Sequence, residues 1–316
     1  MRDSSPLITA VIPTRNRPCL VQRAVRSTLA QTYTDLEVLV VVDGPDPATM
    51  AALDAMNEGR MRVISLEESV GGAEARNVGV RAARGEWIAL LDDDDEWLPG
   101  KLELQLASAV GSGNERILVV SRYIWRSSTA ADRIRPRRLP WPGEAICEYM
   151  FDFLCYFQTS TFFCSRSLLL QVPFQKTMPG FQDIDWFLRV NSHPGVRLIA
   201  LQDVLSVYYA PEERATITSG LGWDKRFAWG QANRPFMTER AYSRFIVGSC
   251  IGRAVEEKAG YSALWRLFRE YAFAGAPTIS GTLLLFGMCA VTPRFRRRVR
   301  NAFFLPAAAV PAKDPS

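Results

Sequence analysis

Residues 87–103 read WIALLDDDDEWLPGKLE. Trp87–Leu91 is an unbroken apolar run, the pattern of a parallel strand whose two faces are both covered. Asp92, Asp93, Asp94 and Asp95 follow without a gap. Pro99 then stands where a helix can start, and Leu102, Leu106 and Val110 recur at helical spacing. Adjacent carboxylates repel one another, so a strand end that collects them needs a compensating charge. A divalent cation such as Mg²⁺ or Mn²⁺ supplies it, because hard ions take carboxylate and phosphate oxygens together. Ligands of open α/β sheets also bind outside the carboxyl ends of the strands. The competing reading is a solvated acidic loop; the strand before and the helix after favour the site.

Toward the N-terminus the same alternation repeats. Leu7–Pro13 is a β-branched run, Thr14–Arg17 a polar loop, and Pro18 opens a helix with Leu20, Ala24 and Thr28 on one face. Leu36–Asp43 is a second buried strand, closed by Asp43-Gly44-Pro45. A helix carrying Met50, Leu53 and Met56 leads to a third strand, Met61–Leu66. Gly71–Gly85 reads as a helix with Ala75, Val78 and Ala82 inward. This order predicts a doubly wound, mostly parallel sheet. Beyond the aspartates, Ile117–Trp125 and Tyr156–Cys164 read as strands and residues 126–143 as an Arg- and Pro-rich surface loop. Pro179–Val190 reads as a loop entering a helix, with Phe187 and Val190 on its apolar side. Val196–Leu201 and Val204–Tyr209 read as a final strand pair. From Leu221 onward the pattern is helical and rich in aromatics, and no internal repeat is visible.

With 316 residues and 48% hydrophobic content, the chain is long enough for one large α/β domain with a helical annex. Six cysteines form no CxxC pair and sit mostly among apolar neighbours, which reads as buried, reduced thiols of a cytosolic protein. The single histidine, His193, lies in the turn-like NSHPG and argues against a His-based zinc site or catalytic triad. Leu7–Ile12 is too short for a signal-peptide core, and no run reaches the ~20 apolar residues of a spanning helix. No GxGxxG follows the first strand, against a dinucleotide-binding oxidoreductase. The net charge of +5 is unevenly placed, with five arginines between Pro293 and Arg300. Nucleic-acid binding would rest on that tail alone, and no nucleic acid is expected as a partner. Ile279–Val291 would span about 20 Å as a helix, short of the ~30 Å hydrocarbon core. Phe295, Val299 and Phe303 share a face against Arg296, Arg297, Arg298 and Arg300. Residues 279–305 therefore read as a peripheral membrane contact, or as an apolar run packed on the core followed by solvated arginines.

Four stretches in order carry a resemblance: VIPTRNR (Val11–Arg17), VVVDGP (Val40–Pro45), GGAEARNVGVRAARGEWIALLDDDDEW (Gly71–Trp97) and QDIDWFLRV (Gln182–Val190). Together they resemble the family 2 inverting glycosyltransferases of GT-A fold, over roughly Leu7 to Tyr209. The resemblance implies an α/β GT-A domain at 1–215, its nucleotide-sugar half at about 1–110 and its acceptor half at about 111–215. A helical extension at 216–316 follows. It further implies Mn²⁺ or Mg²⁺, a nucleotide-diphospho-sugar donor with UDP-sugar favoured, and a glycan or lipid-linked acceptor. The expected location is cytoplasmic, with peripheral attachment to the inner face of the membrane left open by the two readings of 279–305.

By the same resemblance Pro13, Thr14, Asn16, Arg17 and Asp43 meet the pyrimidine and ribose; Asp43's other reading is a turn cap with Gly44. Arg76, one turn into a helix opened by glycines, suits a phosphate, and otherwise an ion pair with Glu74 or another acid. The family's Asp-x-Asp-Asp pattern falls on Asp92–Asp95 with Asp93 in the variable place, where it is still counted with Asp92 among the donor-binding residues. Asp92 is then a ribose or metal contact, Asp94 the metal ligand, and Asp95 a helix cap or a support. Asp183 is the implied catalytic base, otherwise an N-cap, with Gln182 where the family has Glu. Asp185 and Arg189 read as a helical i, i+4 pair. The histidine that many relatives carry after the last strands is missing from Val207–Arg214. A third metal ligand is left open between Glu212 and Glu213, or Arg214 contacts the diphosphate instead. A non-catalytic nucleotide-sugar binding module remains the alternative. An Asp-x-Asp phosphotransferase fits less well, since Glu96 stands where that class has Thr or Val.

Overall fold

The computed structural model describes residues 6–114, 116–152, 155–176, 180–210 and 220–277, with Ile279, Thr282 and Leu285. The chain packs as two compact units. One comprises Met1–Ala130, Ile134–Leu139 and Phe157–Glu212, the other Ala131–Arg133, Pro140–Tyr156 and Glu213–Ser316.

The first unit opens with β1 (Ile8–Thr14), α1 (Pro18–Leu29), β2 (Leu36–Val42), α2 (Pro47–Asp54), β3 (Met61–Ser65), α3 (Gly72–Ala82) and β4 (Trp87–Leu90). Then come β5 (Glu96–Trp97), α4 (Lys101–Gly111), β6 (Ile117–Ser127) and β7 (Ala130–Arg135), of which Ala131–Arg133 are counted with the second unit. After α5 (Ile146–Met150), which belongs to the second unit, β8 (Phe163–Ser165), α6 (Arg166–Gln171), α7 (Gln182–Asn191) and β9 (Arg197–Tyr209) complete it. The sheet order is β3-β2-β1-β4-β8-β6-β9-β5. β1 to β4 pair in parallel, and so do β6 and β9, while β8 runs antiparallel to both of its neighbours. Every residue of β1 and β2 is buried, as a strand covered on both faces requires. The one carboxylate in those strands, Glu37, is neutralised there. It accepts Thr9 Oγ1 at 2.7 Å, Arg62 Nη2 at 2.8 Å and the Arg84 amide at 3.0 Å.

The GT-A-type architecture expected from the sequence is present, with local differences. Tyr156–Cys164 is strand only at its end. Gln158 caps a 3₁₀ turn at Thr159–Thr161 by accepting the Ser160 amide at 3.2 Å, so hydroxyl-rich TST leaves the ladder. The expected final strand pair is the single β9, which passes from Leu201 opposite Ser121 to Val204 opposite Arg122 by a bulge. Residues 126–143 are partly strand, taking in the end of β6 and all of β7. A short strand, β5, precedes α4, whose buried side is Leu102, Gln105, Leu106 and Ala109 rather than Val110, which is exposed. α3 buries Ala73, Ala75, Gly79 and Val80; Val78 and Ala82 are half-buried. Cys19 is exposed; Cys155, Cys164 and Cys250 are buried.

The second unit is helical: α8 (Trp223–Ala232), α9 (Glu239–Phe245), α10 (Gly252–Glu256) and α11 (Tyr261–Arg269), with π-helical turns at Ile246–Ile251 and Glu270–Ala274. Its core gathers Tyr242, Phe245, Ile246, Cys250, Leu267 and Tyr271. Among the described residues no helix is long and apolar enough to cross a membrane. Glu212, Glu213, Arg214 and nearly all of 279–305 lie outside the described residues.

α3 approaches β1 closely because Gly79 lacks a side chain. A Cβ there would sit 2.4 Å from Val11 Cγ1 and 3.2 Å from Val41 Cγ2. Both valines lie in the fully buried strands, so the clash has no cheap escape. Gly79→Ala is expected to destabilise the protein by roughly 1–3 kcal/mol, read as a lower urea midpoint at unchanged slope; an unchanged midpoint contradicts this packing.

Candidate active site

Parallel pairing brings the ends of β1, β2 and β4 to one edge of the sheet. The Asp43 amide donates to Thr14 O at 2.9 Å, and the Leu91 amide to Val11 O at 3.1 Å. Thr14, Asp43 and Asp92 therefore emerge side by side. Pro13 lies within β1 opposite Val41 and supplies strand rather than a polar group.

Asp43 is buried and committed to protein. Its carboxylate accepts the Val70 amide at 2.7 Å, the Gly71 amide at 3.1 Å and Ser69 Oγ at 2.9 Å, so it fastens the loop that opens α3. Most of a carboxylate's acceptor positions are thereby filled. Asn16, in the left-handed region at φ 54°, is held through its amide, which donates to Asp46 Oδ2 at 2.6 Å. Asp46 also caps α2, accepting the Thr49 amide at 3.0 Å.

The four aspartates divide into two kinds. Asp93 and Asp95 are turned into the protein. Asp93 accepts Thr14 Oγ1 at 2.7 Å and pairs with Arg17 Nη1 at 2.6 Å. Asp95 accepts Ser160 Oγ at 2.6 Å and the Tyr209 amide at 3.3 Å, so it supports the loop and caps no helix. Asp92 and Asp94 are more open. Asp92 Oδ1 meets Arg76 Nη2 at 2.5 Å, and Asp94 Oδ2 meets Arg17 Nη1 at 3.0 Å. Burial pushes the Asp94 carboxyl up to about 6, with Asp92 and Asp93 adding to it and Arg17 opposing. Burial also raises Asp93, against Arg17, and raises Asp95 well above its ordinary value, with Asp92 and Asp94 adding to it. Burial works to lower Arg17, but Asp93 and Asp94 outweigh it and hold that guanidinium above its ordinary value.

Arg76 passes over Glu74, which pairs instead with Arg81 at 2.7 Å and Lys176 at 3.0 Å. It bridges Asp92 to Gln182 Oε1 at 3.2 Å, and its Nε is buried without a hydrogen-bond partner. The bridge reaches the start of α7, which follows Phe181 in the left-handed region at φ 57°. Asp183 lies in the first turn of α7 and does not cap it; its Oδ1 accepts the Ile184 amide at 2.9 Å. Burial and then Asp92 raise its pKa above the ordinary aspartate value, while Arg76 opposes. Asp185 and Arg189 form the expected i, i+4 pair at 2.8 Å.

Three supporting residues were not visible beforehand. Ser160 donates to Asp95 and accepts the Asp92 amide at 3.1 Å. Arg23 donates to Asp94 O at 2.6 Å, pairs with Glu96 at 3.0 Å and lies 3.9 Å over the Tyr209 ring. Tyr209 closes that set by donating to Glu96 at 2.8 Å. Helical spacing on α1 would have put Arg23 near the strand ends; Ser160 and Tyr209 depend on long-range pairing that no local pattern encodes.

A hard divalent cation fits the open pair. Asp92 Oδ2 takes no hydrogen bond among the described residues, and the Asp94 carboxylate is 37% exposed. Two carboxylates with substrate phosphates form a Mg²⁺-type donor set. No group of three His, Cys, Asp or Glu suited to a metal occurs among the described residues, so other oxygens would complete the shell.

The profile of the family described as Glycosyl transferase family 2 matches residues 9–176. The chain is 25% identical over 247 residues to the amylovoran biosynthesis glycosyltransferase AmsB of Erwinia amylovora, across 76% of this chain and 81% of that one. Among solved structures, S. aureus TarS 1–349 in complex with UDP superposes at a TM-score of 0.52 and 15% identity, across 94% of this chain and 78% of that one. The mannosyltransferase PcManGT from Pyrobaculum calidifontis, in complex with GDP-Man and Mn²⁺, gives 0.53 at 17% identity, across 96% and 81%. At these identities the solved structures share the fold with this chain.

The raised Asp94 pKa has a stability consequence of definite sign. Folded Asp94 keeps its proton up to about 6, whereas an ordinary aspartate releases it at 3.8, so folding is progressively penalised as pH rises between those values. Asp94→Asn carries no charge at any pH and escapes that penalty. In chelator without nucleotide, the variant is expected to melt above the parent at about pH 7.5, with a smaller margin at about pH 4.5. No margin at the higher pH, or a larger one at the lower, contradicts the assignment.

Proposed function

The chain belongs to glycosyl transferase family 2, and on that premise we propose that it moves a sugar from a nucleotide-diphospho-sugar, a UDP-sugar by preference, to an acceptor hydroxyl with inversion at the anomeric carbon. One observation carries the reading. Arg76 joins Asp92 at 2.5 Å to Gln182 at 3.2 Å, so a guanidinium ties the acidic strand end to the helix that bears Asp183. A phosphate-binding cation, two open carboxylates and a candidate base thus form one connected set.

Each member has work suited to its chemistry. Arg76 keeps an unused buried donor, Nε, which a diphosphate oxygen would satisfy. Arg17 and Thr14 hold Asp93, keeping the loop in place beneath the donor. Asp92 and Asp94 would hold Mn²⁺ or Mg²⁺, whose contribution is to offset the negative charge growing on the departing nucleoside diphosphate. Asp183 takes the acceptor's proton as that oxygen bonds to the anomeric carbon and the bond to the phosphate breaks. Its raised pKa improves it as a base near neutrality, provided it remains ionised. Gln182, in the place of the family's Glu, satisfies Arg76 without a second negative charge beside Asp183. Asp43 and Asn16 act through the loops they hold, which present backbone donors to the base and ribose. The acceptor is a growing glycan or a lipid-linked precursor, a reading supported by the likeness to an amylovoran biosynthesis enzyme. Transfer is assigned to residues 1–215, with 216–316 as the helical extension.

Asp183→Asn is expected to leave UDP affinity nearly intact while cutting transfer by roughly 10²-fold or more, since a base acts chiefly in the transition state. In the parent, kcat/KM should fall on acidification with a midpoint above the ordinary aspartate value, because protonation silences the base. Near-normal turnover of the variant, measured as UDP released in the presence of acceptor, would remove Asp183 from the mechanism.

A further inference from the structure

The helical unit carries an exposed surface outside the residues assigned to transfer. Tyr261, Trp265, Phe268 and Phe273 are exposed along α11 and the π-helical turn after it, while Leu267 and Tyr271 are buried. Tyr261, Trp265 and Phe268 fall at i, i+4 and i+7, one stripe of a helix. Trp265 is 59% exposed and stacks on Phe268 at 5.6 Å, and Phe273 is 79% exposed. Trp265 and Phe273, with Arg266 and Arg269, line a groove of about 410 Å³. Both arginines are exposed; Arg266 lies 4.8 Å over the Phe227 ring, and neither has an ion pair among the described residues. The one carboxylate on the groove, Glu270, is taken by the Tyr242 hydroxyl at 2.9 Å.

Scattered single aromatics on a protein surface need no explanation, but a stripe of three, joined across the groove by Phe273 and accompanied by two guanidiniums that no carboxylate neutralises, does. Tyr and Trp rings settle at the headgroup level of a bilayer, and arginine is matched by lipid phosphate. Charge complementarity selects that occupant over another protein surface. From Ala272 to Lys313 the sequence has no acid and five further arginines, all between Arg294 and Arg300. We propose that the α11 face docks on an anionic lipid surface, with Trp265 and Phe273 at headgroup depth and Arg266 and Arg269 on lipid phosphates. This contact begins on described residues ahead of 279–305 and does not depend on the sugar-transfer reading.

The test uses the full chain with vesicles of phosphatidylglycerol mixed into phosphatidylcholine, beside vesicles of phosphatidylcholine alone. The parent is expected to co-sediment with the anionic vesicles about tenfold more strongly or better, and less so at high salt. The pair Arg266→Glu and Arg269→Glu should lower that partition at least tenfold, as should the pair Trp265→Ser and Phe273→Ser. These side chains are exposed, so melting and UDP binding should match the parent. A second readout covers a variant that folds poorly: brominated lipid should quench a tryptophan component that Trp265→Phe removes. The proposal fails if the parent stays in the supernatant or binds neutral vesicles equally. It fails if either pair sediments like the parent, which would leave binding to 279–305 alone, or if the quenched component survives Trp265→Phe. It also fails if the parent is a dimer that the patch variants dissociate, since a second copy would then cover the face.

Discussion

Four carboxylates in unbroken sequence are the constraint around which the transferase unit is arranged. Two like charges about 6 Å apart repel by roughly 3 kcal/mol at an effective dielectric of about 20, and members of the quartet do repel one another: Asp92 acts on Asp93, Asp94 and Asp95. Cations from elsewhere in the chain must come to it. Arg17 arrives from the start of α1, Arg23 from its second turn and Arg76 from α3. The parallel order β3-β2-β1-β4 lets those elements converge, because each strand delivers its following loop to the same edge.

The compensation is incomplete, and the remainder is chemically informative. Asp93 and Asp95 are consumed internally, one by Thr14 and Arg17, the other by Ser160 and the Tyr209 amide. The variable place in the Asp-x-Asp-Asp pattern is therefore no spare position in this chain, since Asp93 anchors Arg17. Asp92 and Asp94 carry what is left over, and burial, with Asp92 and Asp93 adding to it, holds Asp94 at about 6. An under-compensated carboxylate pair is destabilising for the protein alone and favourable once a cation and a diphosphate arrive. That is the usual exchange of stability for function at a binding site.

The strand and helix order through β4 was legible because buried parallel strands are nearly pure apolar runs and their helices carry separate signals. The acidic loop, Arg76 and Asp183 were legible as a set only through the family resemblance. Which residue each would touch was not. Arg76 bypassed its helix neighbour Glu74 for Asp92, a choice decided by tertiary approach rather than by spacing. Asp43 turned out to fasten the Ser69–Gly71 loop, a role that requires β2 and β3 already in place. The second half misled most at β8 and β9. There hydroxyls compete with the ladder and a bulge joins what alternation separates. The exposed aromatics of α11 read as ordinary helix, because sequence does not show which side of a helix is left uncovered.

The claim that Asp92 and Asp94 form a cation-dependent diphosphate site is tested most directly by calorimetric titration of UDP into the full chain. The titration is run with Mn²⁺, with chelator, and with Asp94→Asn in Mn²⁺. The account predicts binding with Mn²⁺ that weakens at least tenfold in chelator and comparably in the variant, because the diphosphate then faces uncompensated carboxylates. Equal affinity in all three titrations would contradict it.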